Sequence, residues 1–436
     1  MECERMEESW PDFVSSILKT LQNSGFEAFM VGGCVRDRWL GRTVSDFDVT
    51  TNATPEQVMT LFPKTVATGI RHGTVTVFYE GHPVEITTYR VDLAYRDGRH
   101  PQQVRFTPSL VEDLARRDFT INAMAQDLQG HWVDPYQGRI DLANRVIRCV
   151  GSPYIRFQED ALRILRALRL ATELEFHIEE TTFLAMLATA PLLTKLSGER
   201  VGQELWRLAG ARNWFLELQF LANPAFWKPL GVPFLALQPG LATLARREDV
   251  HQASWLTSVP ENPDDPQKRA LAGLATWLWI GQQSPETAIA LVRRCGWPKV
   301  IGNKLGKTLA FMQEDPAQWS MLTWRKRLYD GPRDALSLAC RVMDWSSGMD
   351  SNGPESRWHR YQEFWHNHPL PASQFLTIKG EDLIQLGLRG QTIGRMKETL
   401  VMEILSGLSP NRREDLLARA QEISQTLVVA QNQEPE

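Results

Sequence analysis

No stretch of this 436-residue chain is apolar for long enough to cross a bilayer. The longest apolar run, 271–280, is about half of what a spanning helix needs. Cysteine is scarce as well. Cys3, Cys34, Cys149, Cys295 and Cys340 are odd in number, scattered and never spaced Cys-x-x-Cys, which argues against a disulfide framework and a structural zinc site. A strong charge of either sign is missing: the formal net charge is −4, so any nucleic-acid surface has to be a local basic patch. The N-terminal Met1-Glu2-Cys3-Glu4-Arg5-Met6-Glu7-Glu8 is acidic and lacks the apolar core of a secretory signal, and the expectation is a cytoplasmic protein with reduced thiols. No internal repeat is evident.

What is there reads as an ordinary globular protein, with 43% apolar and 23% charged residues. The length exceeds one typical domain and predicts about two to four. The candidate strands crowd into the first 150 residues or so, and beyond residue 171 strands effectively stop. The fold class expected is α+β: an N-terminal head with a mixed sheet at 1–150, then helical regions at 151–215, 216–350 and 351–436.

The head is organised around Val31-Gly32-Gly33-Cys34-Val35-Arg36-Asp37 and, after twelve residues between Gly33 and Asp46, Asp46-Phe47-Asp48. A lone Gly-Gly is ordinarily a turn and a lone Asp-x-Asp a solvated strand edge; their order and separation give them meaning. Residues 26–31 read as a short buried strand that delivers Gly32-Gly33 to the start of a helix running from Arg36, a geometry that gathers backbone N–H groups into an anion site suited to a triphosphate. Arg36 can add a charged contact. The alternation in Asp46-Phe47-Asp48-Val49-Thr50-Thr51 turns Phe47 and Val49 inward and leaves Asp46 and Asp48 outward, where they can hold Mg²⁺ together with a substrate's phosphates.

Residues 74–79 and 84–89 read as a hairpin joined by Glu80-Gly81-His82-Pro83. Glu85 on its second strand is either a solvated strand glutamate or a third carboxylate that orients metals or accepts the proton of an attacking hydroxyl. Residues 89–103 mix charge, Gly and Pro with little periodicity and are expected to form a mobile loop beside the site. In Arg116-Arg117-Asp118-Phe119-Thr120-Ile121-Asn122-Ala123 the asparagine within an apolar run suggests a buried polar task.

Residues 157–170 read as one amphipathic helix with Leu162, Ile164, Leu165 and Leu168 on one side and Asp160, Arg163, Arg166 and Arg169 on the other. Asp160 and Arg163 are then neighbours, either as a plain helix ion pair or as a base-reading pair. Cytosine and adenine both offer an exocyclic amine beside a ring-nitrogen acceptor, which a carboxylate and a guanidinium meet respectively; uracil and guanine reverse the order. Residues 196–208 form a capped amphipathic segment, and Trp324 with Arg325-Lys326-Arg327 makes a modest basic-aromatic patch.

Assembled in this order, these residues resemble the class II tRNA nucleotidyltransferases, the bacterial CCA-adding enzymes and their poly(A) polymerase relatives. The resemblance covers about the first 210 residues and thins thereafter. It implies a polymerase-beta-like nucleotidyltransferase head followed by all-helical neck, body and tail, with Mg²⁺ as cofactor, CTP and ATP as substrates, tRNA as partner, and monomer and homodimer both open. Gly32-Gly33 with Asp46 and Asp48 is similar to the family's metal and triphosphate motif, and 117–123 to its ribose-reading motif. Glu159-Asp160-x-x-Arg163 resembles its amino-acid template for the incoming base, and Ser197-Gly198-Glu199-Arg200 its helix-stabilising motif. By resemblance, nucleotide contacts fall to Gly33, Arg36, Arg117, Asp160, Arg163, Arg166 and Arg169, and metals to Asp46 and Asp48; Gly32, Asp118 and Asn122 complete the expected nucleotide site, and Glu85 stands as the candidate third catalytic carboxylate beside Asp46 and Asp48. Some relatives add only CC or only A, and some make poly(A) tails. The full-length 89–103 segment favours complete CCA addition, and the tail is less basic than is usual for a poly(A) polymerase. None of the nine histidines is followed by aspartate, which removes the commonest phosphohydrolase signature, and intact Asp46 and Asp48 speak against a non-catalytic RNA-binding protein.

Overall fold

A computed structural model describes residues 10–95, 101–247, 265–349, 353, 355–367 and 375–431. The chain divides into two compact units, Met1–Gly281 with Leu291–Trp297, and Gln282–Ala290 with Pro298–Glu436. The boundaries expected at 150 and 215 fall inside the first unit and that at 350 inside the second.

The first unit opens with α1 (Asp12–Asn23), whose Val14, Ile17, Leu18 and Leu21 recur on one face and are fully buried. Each such side chain contributes about 1.5–3 kcal/mol on leaving water, which ties this helix to the sheet that follows. In chain order the next elements are β1 (Ala28–Val31), α2 (Gly33–Trp39), β2 (Asp48–Thr51), α3 (Pro55–Leu61), β3 (Thr65–Gly69), β4 (Thr74–Tyr79) and β5 (His82–Thr88). They are followed by β6 (Arg90–Tyr95), β7 (Pro101–Phe106), α4 (Leu110–Ala115), β8 (Ala125–Gln126) and β9 (Trp132–Val133). Seven of the strands form one mixed sheet in the order β3-β4-β5-β2-β1-β8-β9. Within it only β2 and β5 run parallel, with Asp48 opposite Glu85. The expected four-residue turn between β4 and β5 is tighter: Glu80 and Gly81, at φ 50° and 86°, close the hairpin alone.

Two expectations are corrected here. Residues 89–103 are not an irregular loop: β6 and β7 pair antiparallel from Arg90↔Phe106 to Tyr95↔Pro101, and residues 96–100 lie outside the described residues. The Asp92–Arg116 ion pair (4.0 Å) and the Arg90 N–H donated to Asp113 (3.3 Å) dock the base of this hairpin, so its charges are internal partners rather than marks of a loop. Nor do strands end with the head, because β10 (Val146–Ile147) pairs in parallel with β11 (His177–Ile178).

Between these two short strands lie α5 (Gly138–Ala143)'s successors, α6 (Pro153–Glu159) and α7 (Leu162–Leu174). The anticipated single helix over 157–170 is therefore broken. Asp160 adopts φ −147°, ψ 104°, and its Oδ1 accepts the N–H of Leu162 at 3.0 Å, so this short carboxylate ends one helix and starts the next. After β11 come α8 (Glu180–Thr189) and α9 (Gly198–Ala209). Ser197 stands at the N-cap of α9 in extended conformation but makes no side-chain cap bond. A Cβ on Gly198 would lie 2.0 Å from the carbonyl oxygen of Arg294, so glycine there permits close backbone approach.

The second unit is helical among its described residues, including Lys299–Glu314, Met321–Asp330, Arg333–Ser346, Gln391–Ser406 and Arg413–Gln431. Its basic-aromatic patch does not form a stacking face. Trp324 is 2% exposed and stacks on Phe364 with centroids 5.5 Å apart, while Arg327 pairs with Glu314 at 2.7 Å and Arg325 donates to the Leu405 carbonyl. Among the described residues no helix is long and apolar enough to cross a membrane.

Candidate active site

The end of β1, the start of α2 and the start of β2 meet at one cavity of about 280 Å³, lined by Gly32, Gly33, Asp46, Asp48, Arg117 and Asn122 among others. Gly32 makes this possible. Its φ of 80° and ψ of −135° suit only glycine, and a Cβ there would come 3.1 Å from Nη1 of Arg117. Its carbonyl accepts the Arg36 N–H at 3.2 Å, so α2 begins at Gly33 with its first-turn amides facing away from any helical acceptor.

Asp46 is exposed just ahead of β2, and Asp48 is half-buried on it. Burial first, then the nearby Glu85 and Asp46 carboxylates, push the Asp48 pKa up to about 6 against the pull of Arg117. That crowding of negative charge favours a cation. Among the described residues no group of three His, Cys, Asp or Glu side chains forms a self-contained metal cage. Two carboxylates beside an open cavity nonetheless fit a hard divalent ion that draws its remaining ligands from substrate phosphates and water. Glu85 is exposed and stands beside Asp48 across the parallel strand pair. Cys34 also lines the cavity, but burial and then Asp48 push its thiol up to about 12, which leaves it inert as a nucleophile.

The predicted polar residues are joined in a ladder of alternating charge. Arg36 grips Asp37 through Nε and Nη2 (2.9 and 2.8 Å) and donates from Nη1 to Oδ1 of Asn122 at 2.7 Å. Asn122 passes an N–H to Asp118 at 3.1 Å, and Asp118 receives Arg166 at 2.7 Å. Arg166 reaches Glu204 at 3.7 Å, and Arg169 bonds both Glu204 and Glu173 at 2.6 Å. Burial raises the Asp118 pKa, yet Arg166, the Asn122 amide and Arg163 outweigh it and hold this carboxylate well below the usual range. Arg36 thus braces Asn122 as well as bordering the cavity.

Asp160 accepts the Arg163 N–H on its backbone carbonyl at 3.1 Å, but the two side chains take different partners. Asp160 pairs with Arg200 of α9 at 2.7 Å. Arg163 pairs with Glu159 at 2.7 Å and donates to the carbonyls of Arg156 (3.1 Å) and Arg116 (3.0 Å). Arg163 therefore supports the backbone just before Arg117, whose own guanidinium is steered by the fully buried Asp113 at 3.4 Å.

The Poly A polymerase head domain matches residues 28–148, and a probable RNA and SrmB-binding site of polymerase A matches residues 175–215. Over 425 residues, 97% of this chain and 99% of the relative, the sequence is 32% identical to the CCA-adding enzyme of Lacticaseibacillus paracasei. The chain belongs to the CCA-adding enzyme family. Identity with the CCA-adding enzyme of Lactobacillus helveticus rises to 52%, but over 192 residues, 44% of this chain and 48% of that one. The solved Bacillus stearothermophilus CCA-adding enzyme in complex with CTP superposes with a TM-score of 0.77 at 27% identity, covering 96% of this chain and 98% of that one. The Thermotoga maritima CCA-adding enzyme complexed with tRNA, at 22% identity and a TM-score of 0.64 over 95% and 96% of the two chains, shares the fold. The nucleotidyltransferase heads of this family typically use a divalent metal.

In this CCA-adding enzyme family member, the sequence does not single out Asp113 and Glu204, which hold the arginines of the site, or Arg207, which also lines the cavity. Glu204 carried a signal: it lies on the face of α9 that holds Val201, Leu205 and Leu208, where a carboxylate needs a buried partner. Arg207 carried none, being one more charged residue near a helix end.

Proposed function

We propose that the chain adds CCA to the 3′ end of tRNA, one nucleotide at a time, from CTP and ATP. The observation that carries the reading is the cavity in which Asp46, Asp48 and Arg117 surround the Gly32 turn; the near-full-length likeness to CCA-adding enzymes supports it. The layout that accompanies this reading keeps a catalytic head at 1–150, a base-selecting neck at 151–215, and a body and tail at 216–350 and 351–436 that hold tRNA.

In the mechanism, the first-turn amides of α2 and Arg117 orient the triphosphate, while Asp118 and Asn122 sense the ribose hydroxyls. Asp46 and Asp48 would hold Mg²⁺, which supplies charge neutralisation on the phosphates and a more acidic hydroxyl. The tRNA 3′-hydroxyl attacks the α-phosphorus, its proton passing to solvent or to Glu85, and the bond to the β-phosphate breaks to release pyrophosphate. Asp160 and Arg163 select the base, which requires them to exchange Arg200 and Glu159 for the base edge as substrate enters. Arg166 and Arg169 keep the neck helix α7 aligned with the head.

Primer extension on tRNAs ending at the discriminator base, at C and at CC tests the reading, with CTP and ATP supplied separately and together. Full CCA is expected. A stop after CC, addition of A alone, or a ladder of A residues on unrelated RNA overturns it in favour of a CC-adding, A-adding or polyadenylating relative.

A further inference from the structure

Beside the catalytic cavity lies a larger one, of about 610 Å³, within the size range of ordinary ligand sites. Its walls come from the end of α7, the end of α9 and the start of the helix Pro266–Ile280, all in the first unit. Four arginines and two glutamates line it, and the glutamates are already committed: Glu173 to Arg169 at 2.6 Å, Glu175 to Asn213. With four guanidinium groups against two carboxylates, the lining is net positive. Arg207 is the residue common to the two cavities. It is exposed, and whereas Arg36, Arg163, Arg166, Arg169 and Arg200 each hold a carboxylate, Arg207 has no ion-pair or hydrogen-bond partner among the described residues. Next to it Trp206 lines the larger cavity, its ring held edge-on by Trp297 with centroids 4.9 Å apart.

A free guanidinium at the mouth between a nucleotide-sized cavity and a larger basic one, beside a fixed indole, is the combination that binds single-stranded nucleic acid: charge for the backbone, an aromatic wall for a base. We infer that the larger cavity receives the 3′-terminal nucleotides of the RNA acceptor, with Arg207 on the phosphodiester nearest the catalytic cavity and Trp206 against a base. This inference rests on the proposed nucleotidyl transfer, since it assigns the second substrate of that reaction. The same guanidinium chemistry would also suit the triphosphate of the incoming nucleotide, and the experiment separates the two phosphate sources.

Steady-state kinetics of CMP addition are measured for the full chain and its Arg207→Ala and Arg207→Lys variants, varying tRNA at saturating CTP and then CTP at saturating tRNA. Arg207→Ala is expected to raise KM for tRNA about tenfold, the size of a lost charged hydrogen bond, with KM for CTP within about twofold. Lysine should recover most of the loss, and the salt dependence of tRNA binding should fall by about 0.7 in logarithmic slope for the missing single-strand phosphate contact. A rise in KM for CTP instead, or no change in either, overturns the inference. Failure of the wild-type chain to incorporate CMP at all would overturn the proposed function itself, which is a different result.

Discussion

The Asp160 carboxylate pairs with Arg200, forty residues further along the chain, at 2.7 Å, while the Arg163 guanidinium, three residues away, pairs with Glu159 at 2.7 Å. The two side chains assigned to base selection therefore rest on separate supports, one on α9 and one on the backbone before Arg117. Arg163→Ala is expected to let UTP and GTP compete with CTP and ATP, with discrimination falling at least about tenfold because a matched hydrogen-bonding edge is lost. Arg200→Ala should lower discrimination too, by freeing Asp160 from its place. Single-nucleotide incorporation from each of the four triphosphates measures both, and a retained strict choice of C and A in Arg163→Ala would contradict the base-reading role.

For the carboxylates, Asp48→Ala is expected to reduce nucleotide incorporation by about 10³-fold or more, with tRNA binding retained. Glu85→Gln, which keeps size and hydrogen bonding but removes the charge, should cost about 10²-fold if Glu85 takes the proton. Incorporation assays paired with filter binding of labelled tRNA decide the matter: unchanged incorporation in Asp48→Ala would sink the metal assignment.

Acid should expose the ladder. Asp118 has a folded-state pKa below its unfolded value of about 3.9, so the stability it contributes is fully present above pH 4 to 5 and is lost as pH falls toward the folded value. Asp118→Asn is expected to destabilise by about 2–4 kcal/mol at pH 7, because Arg166 loses its buried partner. In urea unfolding, the gap between wild type and variant should be level from pH 7 to 5 and narrow at pH 3; a gap that widens on acidification would refute the sign.

Much of the head could be read from the chain because its signals are local. The apolar spacing of α1 and the short strand into Gly32 each occupy a few consecutive residues and stand where expected, whereas the alternation through Asp48 is not kept: β2 begins only at Asp48, which is half-buried, and Val49, Thr50 and Thr51 are all buried. The helix break at Asp160 was hidden because the leucines on both sides keep helical spacing, while the bond that ends the helix comes from a single side-chain oxygen. The ladder was hidden for a different reason: Arg36 meets Asn122 across 86 positions and Asp118 meets Arg166 across 48, distances over which no periodicity speaks. The hairpin of β6 and β7 was obscured because Asp92 pairs with Arg116 just after α4 and the Arg90 N–H reaches Asp113 on α4, so polarity there marks docking instead of exposure.

The parallel pairing of β2 with β5 has one more consequence. Parallel neighbours cannot be joined by a tight turn, so the chain must cross through α3 and lay down β3 and β4 at the edge of the same sheet before it can set Glu85 against Asp48. The separation of those two backbones is then a lattice constant of the sheet, about 4.8 Å, owed to main-chain bonding and not to any side chain of the excursion. Only the turns of that connection can change length freely, because β4 pairs with β5 and Val58, Val75 and Val77 are buried in the core.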